Sequence, residues 1–270
     1  KDLLADVGSV ATKAGAGLTA GITLPLAAGA LASLKLSTDF NAAMANISTL
    51  IPGSRKRVDE LKASIQEMAV TTGKSTTALA GGLYQVVSAF GDTADTAKIL
   101  ETNAKSAAAG LATTTEAINL TSAVTKGYGD ISAEAVQKAS DLALTTVKLG
   151  QTTFPELASS IGKVTPLAAA LGVTQEELFA VMATGTGVTG TAADVSTQLR
   201  GVLQSLMSPT GQMTELLDSM GISSGKSLLE QKGLSGAIET VMDAAKNTGE
   251  PLQKYVSSIE AQTLMLALGG

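Results

Sequence analysis

Glycine and proline interrupt this sequence so regularly that no long regular element can run through it. Breaks fall at Pro52-Gly53, Thr72-Gly73, Gly91, Gly127 to Gly129, Gly150, Gly172, Gly185 to Gly190, Pro209 to Gly211, Gly221 to Gly225, and Gly249 before Pro251. Most segments between them run about 10 to 20 residues, the ordinary length of a globular helix. Within the segments, apolar residues recur at helical spacing. Val58, Leu61, Ile65 and Met68 form one stripe, Ile131, Ala135, Ala139, Leu142 and Thr146 a second, and Leu234, Ile238, Val241 and Ala245 a third. Alternating β-branched runs and hairpin dipeptides between strands are missing. The expected fold is all-α, a multi-helix bundle of short helices joined by Gly/Pro turns, with no sheet.

The same punctuation rules out a rod. A continuous helix rises about 1.5 Å per residue, so this chain drawn straight would span roughly 400 Å. No sustained heptad array or fixed-period repeat supports such a shape. The side chains available for packing are small: 44% of residues are hydrophobic, but only four Phe, three Tyr and no Trp are among them. Alanine removes little area from water at roughly 25 cal/mol per Å², so thin, closely packed interfaces and modest stability are expected.

Chemistry is narrowed by what the chain lacks. It has no Cys and no His, which removes disulfides, thiolate chemistry, Ser-His-Asp triads and the usual zinc sites. The net charge is −5. Arg55-Lys56-Arg57, the one tight basic cluster, reads as a solvated helix start. Affinity for duplex DNA comes largely from phosphate neutralisation, so sequence-specific nucleic-acid binding is not expected. Carboxylates leave one enzymatic route, glycoside hydrolysis, with Glu134, Glu176, Glu177 and Glu215 as candidates. That reaction needs carboxylates flanking a sugar cleft, and the aromatics that usually line such clefts are few and dispersed from Phe40 to Tyr255. Glu176 and Glu177 have a simpler role near a positive helix N-terminus. Residues 185–190 match G-x-G-x-x-G, but a helix precedes them where the dinucleotide motif needs a strand. Gly185, Gly187 and Gly190 are instead expected to form a non-helical hinge for a sharp chain reversal. Residues 221–227 (GISSGKS) fall one residue short of a phosphate-binding loop, and residues 73–75 lack its leading glycine; both read as turns between helices. No catalytic, cofactor-binding or metal-binding residue is assigned.

Residues 14–34 carry no charge, between Lys13 and Lys35, and are long enough to span a membrane. Gly17 and Gly21 give the small-residue spacing that lets helices approach closely in a bilayer, and Pro25 would kink such a span. The alternative is a buried helical hairpin turning near Thr23 to Pro25. A charged start leading to a compact apolar core and cleavage site is lacking, so a signal peptide is not indicated.

The most informative stretch is residues 162–211. Pro166 can open a short helix and Gly172 close it. Thr174 and Glu177 are spaced as a capping box for a helix carrying Leu178, Val181 and Met182. The glycine cluster follows, then a helix with Val195, Leu199, Val202, Leu203 and Leu206 on one stripe, and then Ser208-Pro209-Thr210-Gly211. This order, with Thr191 and Arg200 at matching spacing, resembles the core region of phage tail tape-measure proteins of the lactococcal-phage type. Upstream, residues 21–26 (GITLPL) and 39–44 (DFNAAM) resemble further elements of that family, as do residues 217–222 (LDSMGI) downstream. The resemblance implies a structural tail component that supports tail assembly and length determination inside the tail tube. It also implies tail tube and tail-tip or baseplate partners, self-association in a few copies, release on infection and help for DNA in crossing the host envelope. Residues 1–36 are expected to form an apolar small-residue helical segment and 37–270 the tape-measure core. The start at Lys1 rather than Met points to an excerpt of a longer polypeptide, with the measuring stretch outside it. Two rivals remain: a membrane-active, pore-forming helical protein without ruler function, and a muralytic tail enzyme.

Overall fold

The computed structural model describes residues 24–269, with side chains from residue 37 onward. Thirteen α-helices and no strand occur among the described residues, so the fold is all-α as the stripes require. In order these are α1 (Leu24–Leu50), α2 (Arg55–Thr72), α3 (Thr76–Phe90), α4 (Thr96–Ala109), α5 (Thr114–Tyr128), α6 (Ala133–Leu149) and α7 (Phe154–Ser160). A 3-10 turn (Ile161–Lys163) leads to α8 (Thr165–Ala170), α9 (Gln175–Val188), α10 (Ala192–Met207), α11 (Gly211–Ser219), α12 (Gly225–Thr248) and α13 (Ile259–Leu268). α1 runs unbroken through residues 36 and 37. Pro25 lies within α1, whereas Gly17, Gly21 and most of the apolar stretch 14–34 lie outside the described residues. Among the described residues, no helix is long and apolar enough to cross a membrane.

Helix starts are set by hydroxyl side chains. Ser54, Ser75, Thr113, Ser132, Thr153, Thr174, Thr191, Thr210, Ser224 and Ser258 each accept a hydrogen bond from the backbone N–H three residues on. That satisfies one of the donors a helix leaves unpaired at its start. Thr113–Glu116, Thr153–Glu156, Thr174–Glu177 and Thr191–Asp194 close complete capping boxes. One expected stripe needs trimming for this reason. Ser132 caps α6 and its own N–H bonds Asp130 Oδ1, so Ile131 stays outside the helix and 44% exposed.

Two apolar clusters form the core. The first joins Phe40, Met44, Ile47, Leu61, Ile65, Leu79, Leu83, Ile99 and Ile118, and ends in the chain at Val136. The second runs from Ala107 to Met265 and includes Leu120, Phe154, Phe179, Leu199, Leu203 and Leu228. Helices α4, α5 and α6 serve both: on α5, Ile118 faces the first cluster while Ala117, Leu120 and Val124 face the second. Many buried positions are hydroxylic. Thr125, Thr146, Thr165, Thr186 and Ser205 return their hydroxyls to carbonyls four residues back, so polar atoms enter the core already paired. Across helices, the Thr121 hydroxyl donates to Asn103 Oδ1 at 2.8 Å, and Asn103 Nδ2 donates to the Ile99 carbonyl.

Candidate functional site

The stretch singled out in the sequence folds around one central helix. α10 packs against α7, the 3-10 turn, α8, α9, α12 and α13. All five residues of its expected stripe, Val195, Leu199, Val202, Leu203 and Leu206, are buried. Upstream, α8 carries Pro166 in its first turn, and Gly172 at φ +80° turns the chain toward α9. Thr174 and Glu177 form the expected capping box, with Leu178, Val181 and Met182 buried behind it.

The hinge expectation is corrected. Gly185 and Gly187 are helical residues of α9, and only Gly190, at φ +142°, lies in the turn before α10. At Gly185 the reason is space: a β-carbon there would come within 2.6 Å of Val195 Cγ1 and 3.3 Å of Leu264 Cδ1. The glycine lets α9, α10 and α13 meet closely. At Gly187 a β-carbon would meet nothing within 4 Å. The turn itself is tied by Thr189, whose hydroxyl donates to Gln198 Oε1 at 2.8 Å, and by the Thr191–Asp194 box.

Beyond α10 the chain bends at Ser208-Pro209. The Thr210 hydroxyl donates to the carbonyls of Lys254 at 2.7 Å and Tyr255 at 3.1 Å, and accepts from the Met213 N–H. Residues 221–227 do not form an anion cradle. Gly221, at φ +70°, follows α11, and Ser224 occupies the Ser227 N–H. Gly225 lies directly against the Leu206 backbone. Of the basic cluster, Arg57 is more than a solvated helix start. Its guanidinium grips Asp92 (Nε to both carboxylate oxygens at 3.1 Å, Nη2 to Oδ1 at 3.0 Å), tying α2 to the loop before α4.

The four glutamates considered for catalysis are dispersed among structural roles. Glu134 and Glu176 line one open groove of about 480 Å³ with Gln137, Asp141, Thr145 and two lysines. Lys98 pairs with Glu134, and Lys138 sits 2.7 Å from Glu176. Those hydrogen bonds hold both carboxyls below the usual range. A glycosidase general acid needs the reverse, a raised value that keeps the proton. Glu177 is partly desolvated, which pushes its pKa up, but backbone N–H bonds from Thr174 and Leu234 outweigh this and lower it. Glu215 is solvent-exposed on α11. Among the described residues no group of carboxylates is arranged to hold a metal ion.

The sequence did not point to one further tie, built on Glu177. Its Oε1 accepts the N–H of Leu234 at 2.7 Å, 57 residues away. The preceding residue, Gly233, stands at φ 69°, ψ 179°, a non-helical break inside α12. Nothing local marks that glycine as different from Gly236 one turn later, because the acceptor that fixes it comes from another helix.

Side chains that close helix ends, and glycines that let helices touch, account for how this region packs. The profile of the phage-related minor tail protein family matches residues 62–261. The chain belongs to that family. Its relatives carry a more particular name. The chain is 28% identical over 276 residues to the probable tape measure protein of Clostridium phage phiCD119, an alignment covering 98% of this chain and 29% of that protein. It is 25% identical over 230 residues to the tape measure protein of Pneumococcus phage Dp-1, covering 80% of this chain and 19% of that one. The chain therefore spans less than a third of the length of these curated relatives. No solved structure matches it.

Proposed function

We propose that this chain is the core segment of a tape-measure protein, a folded block that supports tail assembly while extended sequence elsewhere in the same polypeptide sets tail length. The observation that carries this reading is the alignment with the phiCD119 protein, which takes in nearly all of this chain and under a third of that protein. A bundle of short helices folds back on itself, so it adds far less length than the roughly 400 Å its residues would span as one helix. The block lies inside the tail tube, meets tube and tail-tip or baseplate proteins, and is present in a few copies. On infection it leaves with the rest of the protein and aids genome delivery at the host membrane, with residues 14–34 as the segment in contact with lipid. It has no enzymatic role: Glu134 and Glu176 are paired with lysines, and Glu177 is engaged as a cap.

An in-frame deletion of residues 55–269 in the phage gene tests the reading. The expected result is loss of assembled tails. Infectious particles whose tails are shorter by about 1.5 Å per deleted residue would instead make this segment part of the ruler.

A further inference from the structure

We infer that Glu177 and Gly233 form a joint that makes residues 225–248 two helices rather than one, the second of them capped in trans by a carboxylate from α9. This inference stands independently of the tail assignment. Drawn as one straight helix at about 3.6 residues per turn, the stripe of Leu228 and Leu229 and that of Leu234, Ile238 and Val241 would lie roughly half a turn apart. Ser235, Glu239 and Asp243 would then stand on the side where Leu228 and Leu229 are buried. A straight α12 could bury one stripe only by exposing the other, or by carrying two carboxylates into the core without partners. In the structure both stripes are buried in one cluster, while Ser235, Glu239 and Asp243 are exposed. The correction of half a turn is made at a single residue, Gly233, at φ 69°, ψ 179°.

Both the break and the restart of the helix meet Glu177. Its Oε1 accepts the Leu234 N–H at 2.7 Å, while Oε2 accepts the N–H and hydroxyl of Thr174 at 2.9 and 3.0 Å. One carboxylate thus closes the starts of two helices, where unpaired N–H groups and the helix dipole favour a negative charge. Ser224 caps the first half of α12 with its own side chain. At the second start the residue before Leu234 is glycine, which has no side chain to offer. Gly233 is fixed by the same contact. Its φ is one that L side chains rarely adopt, and a β-carbon there would come within 2.5 Å of Glu177 Oε1. The first half is held separately, with Gly225 against the Leu206 backbone. The joint therefore sets the orientation of 234–248 relative to a fixed first half, and ties it to the start of α9.

Amide exchange on the intact chain tests the trans cap. Glu177→Ala should speed exchange at Leu234 by about tenfold to a hundredfold relative to α10 in the same variant, the range for losing a hydrogen bond to a charged group. Thr174→Ala weakens the cap of α9 but leaves Oε1 on Leu234, so it should not single out that amide. Equal acceleration of Leu234 and α10 in Glu177→Ala, or the same selective effect in Thr174→Ala, overturns the cap. Urea unfolding tests the pairing of the two residues. Gly233→Ala should lower the folding equilibrium constant by about fivefold to a hundredfold, as overpacking does, and by less in a Glu177→Ala background where the carboxylate is gone. The same cost in both backgrounds overturns the pairing. The phase itself can be read by thiol reactivity, since the chain has no Cys. Ser235→Cys should react readily and Ile238→Cys only on unfolding. An equal reactivity of the two in the otherwise wild-type fold overturns the half-turn assignment.

Discussion

Alanine should have opposite effects at two glycines that stand two positions apart in α9. At Gly185 a methyl would press on Val195 and Leu264, and overpacking of this kind costs about 1–3 kcal/mol. Gly187 is helical and faces open space, so Gly187→Ala should stabilise by up to about 1 kcal/mol through helix propensity alone. Urea unfolding of the two variants checks both signs. The capping carboxylates give a second prediction at this scale. Glu116 is held below the usual range by the Thr113 N–H and hydroxyl, and Asp194 by the Thr191 hydroxyl and N–H. Glu177 is lowered as well, burial being outweighed by the Thr174 and Leu234 N–H groups. A carboxyl whose folded pKa is depressed stabilises the fold above its unfolded value, and that contribution is lost as pH falls through the folded value. The melting temperature should therefore hold steady from neutrality to about pH 5 and fall below the ordinary Glu range near 4.3. Thr191→Ala should cost roughly 1 kcal/mol at pH 7 and make the acid loss shallower. A melting temperature that rises on acidification would contradict the assignment of these carboxylates as caps.

At the scale of helices, α5 is one of the three elements that join the two cores. Ile118 and Leu120 are two positions apart and belong to different clusters. Ile118→Ala and Leu120→Ala should each destabilise by about 2–5 kcal/mol and shift one common unfolding transition, because α4 to α6 are shared. Two separable transitions would mean that the clusters melt independently. Much of this layer could be read from the sequence. The α10 stripe falls wholly on buried residues, those of α2 and the second half of α12 do so except for half-buried Val58 and Ala245, and Thr174–Glu177 is the cap that its spacing suggests. What could not be read depends on partners distant in the chain. Gly185 reads as a helix breaker until Val195 and Leu264 are placed beside it. Gly233 sits among helix formers, and its turn is fixed by Glu177 from α9. Arg57 looks like part of a solvated cluster until Asp92 comes within reach. The pairing of Glu134 with Lys98 and of Glu176 with Lys138 joins α6 to its neighbours, and no local spacing announces it.

For the molecule as a whole, far-UV circular dichroism should show helix as the dominant signal, and a substantial sheet component would contradict the fold. Purified protein should leave peptidoglycan intact. Clearing that disappears in Glu176→Gln would revive the muralytic reading and require Lys138 to release its partner. The division of the core has a consequence in time. The first cluster has all its members once Val136 is made, whereas the second waits for Met265, about 130 residues later. Ribosomes add roughly 5–20 residues per second, so the first cluster has on the order of ten seconds alone. During that interval the helices due to join both cores can pack on one side while the other stays bare. Until Met265 is made, Ala107, Leu120 and Val124 lack the later residues of the cluster they belong to, so the nascent chain carries an apolar face that only synthesis of its own last helices can cover.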